Sequence, residues 1–188
     1  KYKIVEEMLL KTNPKFVWDL GANNGRFSKI SSSMGIDTIA FDIDPVAVEL
    51  NYLSIRKSKD QYLLPLLQDF TNPSPDIGFE NNERDSLYNR GPVDTVLALA
   101  LIHHLAISNN VPFNKIASFL SRCGNNLIIE FVSKEDSQVK RLLSTREDIF
   151  DDYSLENFKY SFGKYFKIVD ERNITNTKRI LFRMIKKI

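Results

Sequence analysis

The sequence has few of the residues that build disulfides and metal clusters. Its 188 residues include one cysteine, Cys123, and two histidines. A single cysteine excludes an internal disulfide framework and a cysteine-based metal cluster, and it suits a reducing compartment. We therefore expect a cytoplasmic chain without a metal site, in which Cys123 is a small buried apolar residue.

Long apolar runs and an excess of either charge are also absent. The longest apolar run, Val96 to Ile102, is far below the roughly 18 residues that a membrane-spanning helix needs. Lysine and arginine total 26 against 24 aspartate and glutamate, a net charge of +2, which gives no strong reason to expect nucleic acid or a membrane as partner. The length suits one buried domain. Because the first residue is Lys1 rather than Met, residues 1–188 are either a processed protein or a domain of a longer chain, and we expect the second.

Strand and helix patterns alternate along most of the chain. Strands are predicted at 16–20, 38–41, 62–67, 93–99 and 126–132, and helices at 4–11, 26–34, 45–57, 113–121, 135–143 and 155–164. This alternation predicts a parallel sheet covered by helices on both faces. The runs 166–169 and 179–184 follow, and the polar connection between them is too short for a helical crossover, so they should pair as an antiparallel hairpin.

Three local signals refine this prediction. Asp44 before Pro45 is typical of a helix N-cap, and Ser133-x-x-Asp136 has the capping-box pattern at the entry to helix 135–143. Residues 71–92 form a long connection that holds at most one short helix, around 84–88. Such a connection is either a wall or lid over a substrate or a solvated surface loop.

The first strand ends in a glycine-bounded turn, Asp19-x-Gly21-x-x-x-Gly25, at the place where α/β sheets bind nucleotide-like cofactors. A dinucleotide fingerprint would need glycines at 21, 23 and 26, but positions 23 and 26 are Asn23 and Arg26. An NAD-dependent oxidoreductase is therefore the less favoured alternative.

The spacing of this turn resembles motif I of the class I S-adenosylmethionine-dependent methyltransferases. Their usual central glycine is Asn23 here, and asparagine tolerates the left-handed conformation such a turn requires. The resemblance implies a doubly wound, mostly parallel seven-stranded sheet with a C-terminal antiparallel hairpin, and S-adenosylmethionine as the cofactor.

The resemblance also assigns cofactor contacts at three strand ends. Asp19 would lie near the cofactor's amino group, although it could instead cap the turn by accepting backbone N–H groups. Asp42, about 20 residues past the glycine turn, would accept both ribose hydroxyls. Around the adenine the resemblance implies Ile43, Asp69 and Phe70, and the predicted cofactor-binding set is completed by Gly21, Asn23, Gly25 and Ala98.

A closer resemblance involves the runs Leu97–Leu105, Ile128–Val132 and Arg146–Phe150. Together they are similar to a bacterial group of nodulation-protein-like methyltransferases. Members of that group carry additional sequence ahead of the methyltransferase domain, and the resemblance does not identify their acceptor.

Three residues are candidates for the chemistry of methyl transfer. His103 and His104 follow the fourth strand, where the resembled enzymes keep acceptor-side residues, and because adjacent helical residues diverge by about 100° at most one should face the site. We predict His104 as a base or orienting group, against a packing or capping role for either histidine. Glu130 is a second candidate base, and its alternative is a turn or ion-pair residue.

The absence of two motifs argues against methylation of nucleic acids. Positions 98–101 read Ala-Leu-Ala-Leu rather than the Asp/Asn-Pro-Pro-aromatic turn of amino-methylating enzymes, and Cys123 follows Arg122 rather than proline. The predicted function is methylation of a small-molecule or glycan-like acceptor, at oxygen. A non-catalytic domain that binds S-adenosylmethionine is the further alternative.

Overall fold

Seven strands form one sheet in the computed structural model, which describes all 188 residues. The strands are β1 (Phe16–Leu20), β2 (Asp37–Asp42), β3 (Leu63–Leu67), β4 (Val93–Ala98), β5 (Gly124–Val132), β6 (Phe166–Asn173) and β7 (Arg179–Lys186). The helices are α1 (Tyr2–Leu10), α2 (Ser28–Ser32), α3 (Pro45–Ser58), α4 (Phe113–Cys123), α5 (Ser137–Leu143) and α6 (Leu155–Gly163). A 3₁₀ turn spans Phe79–Asn81 and a π-helical turn spans His104–Ser108.

The strand order is β3-β2-β1-β4-β5-β7-β6. Strands β1 to β5 pair in parallel, and β7 pairs antiparallel with both β5 and β6. The predicted doubly wound sheet with a C-terminal antiparallel hairpin is therefore confirmed. Because the chain leaves β1 toward β2 on one side and returns as β4 on the other, the carboxyl ends of these strands border the crevice at which such sheets bind ligands.

The sheet is buried on both faces. In β4, Val96 belongs to a core of 27 buried residues beneath α4, α5 and α6, whereas the next residue, Leu97, belongs to a second core beneath α1 and α2. Successive side chains of a strand point to opposite faces, so an apolar run with no alternation is what a strand covered on both sides requires. No helix is long and apolar enough to cross a membrane.

Helix caps agree with the sequence in one case and differ in another. Asp44 caps α3 as predicted, since its side chain accepts from the Val46 N–H at 2.9 Å. The capping box at 133–136 was wrong: α5 begins at Ser137, and its N-cap is Asp136, whose side chain accepts from the Gln138 N–H. Helix α2 is also shorter than predicted, because the turns of the glycine loop continue to Phe27.

The connection 71–92 contains no helix around 84–88, where the sequence predicts at most one. A β-bridge between Ile77 and Arg84 encloses the 3₁₀ turn instead. Leu87 is buried in the larger core, and the Tyr88 ring lies 3.5 Å from the guanidinium carbon of Arg122 on α4. The segment therefore packs partly on the α4 side of the sheet.

Candidate functional site

A crevice of about 670 Å³ lies where the chain leaves β1, β2, β3 and β4. Each of these strands contributes residues just beyond its carboxyl end, and the π-helical turn and the first residue complete the walls. The lining residues are Lys1, Gly21, Ala22, Asn23, Asn24, Arg26, Phe27, Asp42, Ile43, Gln68, Asp69, Phe70, Thr71, Leu99, Ala100, Leu101, His104, Leu105 and Asn109. Six of the nine predicted cofactor-binding residues are among them.

The glycine loop after β1 is held against β2. Gly21 has φ +75° and Asn23 has φ +51°, so both take the left-handed conformation expected of this turn. The N–H groups of Gly21 and Ala22 both donate to the Phe41 carbonyl at 2.9 Å. A Cβ on Gly21 would lie 3.1 Å from Leu101 Cδ1, so the missing side chain lets the segment after β4 approach the loop.

Gly25 is also predicted to contact the cofactor, and in the structure it packs against Asn51 of α3. It does not line the crevice; its φ is +76°, and a Cβ there would overlap the side-chain amide of Asn51 on α3. Asn51 is 1% exposed. The second glycine therefore allows α3 to pack beneath the loop.

Asp42, at the end of β2, fixes the loop and also faces the crevice. Its Oδ2 accepts from the Asn23 N–H at 2.7 Å, and its Oδ1 accepts from the Asp44 N–H at 2.9 Å. Each carboxylate oxygen has a second lone pair, so Asp42 retains the capacity to accept two hydroxyl donors. Ile43 beside it is 63% exposed and lines the crevice, so its side chain offers apolar surface to a flat ligand.

The end of β3 supplies Asp69 and Phe70. Asp69 Oδ1 accepts from the N–H and the hydroxyl of Thr71, and these bonds, led by the hydroxyl, lower the pKa of the carboxyl. The Phe70 ring meets Phe41 edge to face at 5.7 Å between centroids. Both residues are therefore held by local contacts at the rim of the crevice.

Asp19 lies beneath the loop rather than in the crevice lining. It is 1% exposed, and its Oδ2 accepts from the Ser28 hydroxyl at 2.6 Å. Burial raises its pKa to about 6. The bond joins the end of β1 to the start of α2 across the glycine loop, through a hydroxyl rather than through the backbone N–H groups of a turn cap.

Ala98 is also buried, at 1% exposed in β4, and the crevice is lined instead by the three residues that follow it. Sequence reasoning missed these residues. Ala100 has φ +58°, which for a residue with a side chain is a strained conformation, and a π-helical turn begins four residues later. Both features are frequent at functional sites, but the apolar sequence of this segment gives no signal of either.

The two histidines are in different environments. Their rings lie 4.3 Å apart, but only His104 lines the crevice, where desolvation lowers its pKa. His103 is 1% exposed, its Nδ1 has no hydrogen-bond partner, and burial lowers its pKa to about 3. One imidazole of the pair therefore faces the crevice, and it is the predicted one.

Glu130 does not line this crevice. It is fully buried within β5, where Lys1 Nζ lies 2.5 Å from its Oε2 and Arg179 Nη1 lies 3.6 Å from its Oε1. The structure thus shows the ion-pair environment that was the alternative to a base. No group of three or more histidine, cysteine, aspartate or glutamate side chains is placed to hold a metal ion.

No protein-family model matches the chain. The nodulation protein NoeA of Rhizobium meliloti (strain 1021) is 39% identical over 184 residues, which are 97% of this chain and 38% of NoeA. NoeA is thus a homologue over most of the chain, which confirms the resemblance to nodulation-protein-like sequences. The chain spans well under half the length of this relative.

Solved methyltransferases share the fold. Magnesium protoporphyrin IX methyltransferase (ChlM) from Synechocystis PCC 6803, solved with bound SAH, matches 98% of this chain and 81% of its own at TM-score 0.66 and 15% identity. The bifunctional kinase-methyltransferase WbdD matches 98% of this chain and 38% of its own at TM-score 0.62 and 14% identity. The class I methyltransferase architecture is therefore confirmed.

Proposed function

We propose that this homologue of NoeA is a methyltransferase domain that binds S-adenosylmethionine in the crevice and methylates a small-molecule or glycan-like acceptor at oxygen. The observation that carries the proposal is the convergence of three strand ends. The glycine loop, Asp42 and Asp69 all meet at one cavity of about 670 Å³, within the size range of cofactor pockets. The fold shared with ChlM, solved with SAH, supports the choice of cofactor.

The acceptor groups and apolar surfaces of the crevice fit an adenosyl ligand. Asp42 offers carboxylate oxygens for ribose hydroxyls, and the exposed Ile43 and the ring of Phe70 offer apolar surface for a base. The glycine loop offers backbone for close approach. Ala98 and Gly25 would act indirectly, through strand and helix packing, and Asp19 would act through the loop that it anchors.

When bound, S-adenosylmethionine supplies an activated methyl group: the acceptor oxygen bonds to the methyl carbon as the carbon–sulfur bond breaks, sulfur keeps the electron pair, and the hydroxyl proton is released. The protein's part is to hold the reacting atoms in line at short distance, which can supply most of the catalysis. His104 would take the hydroxyl proton or orient the hydroxyl. Its lowered pKa keeps the imidazole neutral, and so able to accept a proton, at pH 7.

Carbon methylation through a cysteine nucleophile is disfavoured. Cys123 is 1% exposed, and burial raises the pKa of its thiol to about 12, so the reactive thiolate is not formed near neutral pH. Glu130 as a base is disfavoured by its ion pairs and by its position outside the crevice.

Ligand-dependent stability tests the cofactor assignment. S-Adenosylhomocysteine (SAH), the product of methyl transfer, and NAD would be compared by thermal unfolding of the same protein. A ligand that binds only the native state at 100 times its Kd stabilises by about 2.7 kcal/mol. We expect SAH to raise the Tm and NAD to leave it unchanged; stabilisation by NAD alone would overturn the proposal.

A matched pair of variants tests the crevice. Asp42→Asn removes a carboxylate at the carboxyl end of β2, and Asp37→Asn removes one at the exposed start of the same strand. We expect the first to weaken SAH binding about tenfold or more, as the loss of a charged hydrogen bond would, and the second to leave it unchanged. Intact SAH binding without methyl transfer in a broad acceptor screen would instead favour a non-catalytic binding domain.

A further inference from the structure

A second cavity, of about 800 Å³, adjoins the crevice. The two cavities share one wall, because Lys1 lines both. The second cavity lies between the end of β5, the start of β7 and the start of α5, and its floor includes Glu130, Asp136 and Arg179. We call it the Glu130 cavity. None of its residues other than Lys1 takes part in the crevice.

The floor of the Glu130 cavity holds a donor and an acceptor that do not bond each other. Asp136 binds Arg179 through two contacts, Nε to Oδ2 at 2.7 Å and Nη2 to Oδ1 at 2.9 Å. The third nitrogen, Nη1, lies 3.6 Å from Glu130 Oε1, which is too long for a hydrogen bond.

The unpaired acceptor is Glu130 Oε1. The Glu130 side chain is fully buried, its Oε2 is taken by Lys1, and its Oε1 has no hydrogen-bond partner. A buried polar atom without a partner is destabilising, so such atoms are rare in folded proteins unless a ligand completes them. A hydroxyl group that approaches both atoms from the side of the cavity can donate to Glu130 Oε1 and accept from Arg179 Nη1 at the same time.

The charges around the cavity balance. Three basic residues and three acidic residues line it, and Ile174 is the single apolar residue in the lining. Ser137, Asn176 and Thr177 add further hydrogen-bonding groups. A ligand with a net charge would unbalance this arrangement, and an aromatic ligand would find no apolar wall. A neutral molecule rich in hydroxyl groups matches both properties.

We infer that the Glu130 cavity is the acceptor subsite and that it binds a neutral polyhydroxylated molecule, a sugar or a polyol. The inference rests on the proposed function, since it takes the adjoining crevice as the source of the methyl group. Arg179 and Glu130 would hold one hydroxyl of the acceptor while another hydroxyl reaches the crevice past Lys1. Asp136 would be a positioning residue, because it fixes the guanidinium that the acceptor contacts.

Saturation-transfer NMR with the full chain loaded with SAH tests this inference. The probes would be glucose, N-acetylglucosamine and sorbitol, with glucuronate, glucose 6-phosphate and glucosamine as charged counterparts. We expect saturation transfer to the neutral probes and at least several-fold weaker transfer to the charged ones. Stronger binding of any charged probe, or no binding of the neutral ones, would overturn the inference.

A matched arginine pair locates the binding. Arg179→Gln removes the donor of the cavity, whereas Arg172→Gln removes an arginine of the neighbouring strand that pairs with Asp170 and Glu7 away from it. We expect Arg179→Gln to weaken binding of the neutral probes about tenfold, as the loss of a charged donor would, and Arg172→Gln to leave it unchanged. Equal effects of the two would contradict the location.

A second pair of variants leaves the ion pairs of the Glu130 cavity intact. Ser137→Tyr fills the cavity from the exposed first position of α5, and Gln138→Tyr places the same ring one residue away, outside the lining. Only Ser137→Tyr should abolish probe binding. SAH affinity, measured by calorimetry in each sample, separates the two hypotheses: no SAH binding by the wild type defeats the proposed function, whereas intact SAH binding without sugar binding defeats only the acceptor subsite.

Discussion

His103 and His104 are neighbours in sequence, yet the structure gives them opposite surroundings. His104 lines the crevice, and His103 is enclosed with an unpaired Nδ1. Burial lowers the pKa of both, that of His103 to about 3. At pH 7 both imidazoles are therefore neutral. We expect His104 to affect turnover and His103 to affect stability.

His104→Ala should reduce turnover while cofactor affinity stays nearly intact. A positioned general base contributes roughly 10²- to 10⁴-fold, so a loss in that range is expected if the acceptor atom is a hydroxyl oxygen. The pH profile of kcat/KM should show an acid limb below pH 6.5 in the wild type, since the pKa of His104 is lowered, and no such limb in the variant. Ser108→Ala, in the same π-helical turn but outside the crevice lining, is the control. Unchanged turnover in His104→Ala would remove this residue from the mechanism.

His103 should make the fold sensitive to acid. Its pKa is about 3 in the folded protein and about 6.5 when unfolded, chiefly because burial penalises the charged ring. Below pH 6.5 the unfolded chain binds a proton at His103 that the folded chain does not bind. The contribution of the neutral His103 to the free energy of unfolding is therefore complete above pH 6.5 and is lost as the pH falls toward 3. The slope reaches about 1.4 kcal/mol per pH unit.

Urea unfolding of the wild type and His103→Gln between pH 4 and 8 measures this slope. Asp19 acts in the opposite sense, because its raised pKa of about 6 favours the folded state as the pH falls from 6 toward 3.8. Asp19 is present in both proteins, so the difference between their slopes isolates His103. If the free energy of unfolding changes equally with pH in the two proteins below pH 6.5, the prediction is contradicted.

Among the structural elements, the glycine loop and α3 depend on each other. Gly25 combines φ +76° with a position against the buried Asn51, so two separate constraints exclude a side chain there. The loop that borders the crevice is thus fixed from above by Asp42 and from below by α3.

The left-handed conformation alone costs a residue with a Cβ roughly 1–2 kcal/mol. Gly25→Ala should lower the free energy of unfolding by more than this, because Asn51 must also move. Gly163→Ala is the control. It lies in α6 with no atom within 4 Å of its Cβ position, so it should gain up to about 1 kcal/mol from helix propensity. Urea denaturation of the two variants compares them directly, and an equal change in both would show that Gly25 is not constrained.

Element boundaries show how far sequence reasoning reaches. Strand β1 and the start of α3 were predicted at their observed positions because local signals define them: a bounded apolar run in one case and Asp44 before Pro45 in the other. The capping box before α5 failed because Asp136 is itself a good cap and also binds Arg179, a partner 43 residues away.

In the candidate site, too, local sequence signals predict some residues and tertiary packing determines the others. The residues of the crevice that could be predicted, Asp42 and Asp69 among them, follow strand ends that a local pattern identifies. Those that could not, such as Lys1 and Asn109, reach the crevice only through packing. Glu130 was predicted as a base because it lies near the carboxyl end of its strand. Its pairing with Lys1, 129 residues away in sequence, is a tertiary contact that no local pattern indicates.

Both cavities open on one edge of one sheet. The crevice uses the carboxyl ends of β1 to β4, and the Glu130 cavity lies beside β5, next in the strand order. The expectation that residues 1–188 form one domain of a longer protein stays a prediction.

The most direct test of the account is hydrogen–deuterium exchange of the protein with and without SAH. Bound SAH should slow exchange together in peptides that cover residues 20–27, 41–46 and 67–72, which lie far apart in sequence and share the crevice. The same peptides should exchange unchanged with NAD. Protection absent from 41–46 and 67–72, or confined to another edge of the sheet, would contradict the claim that these strand ends form one cofactor site.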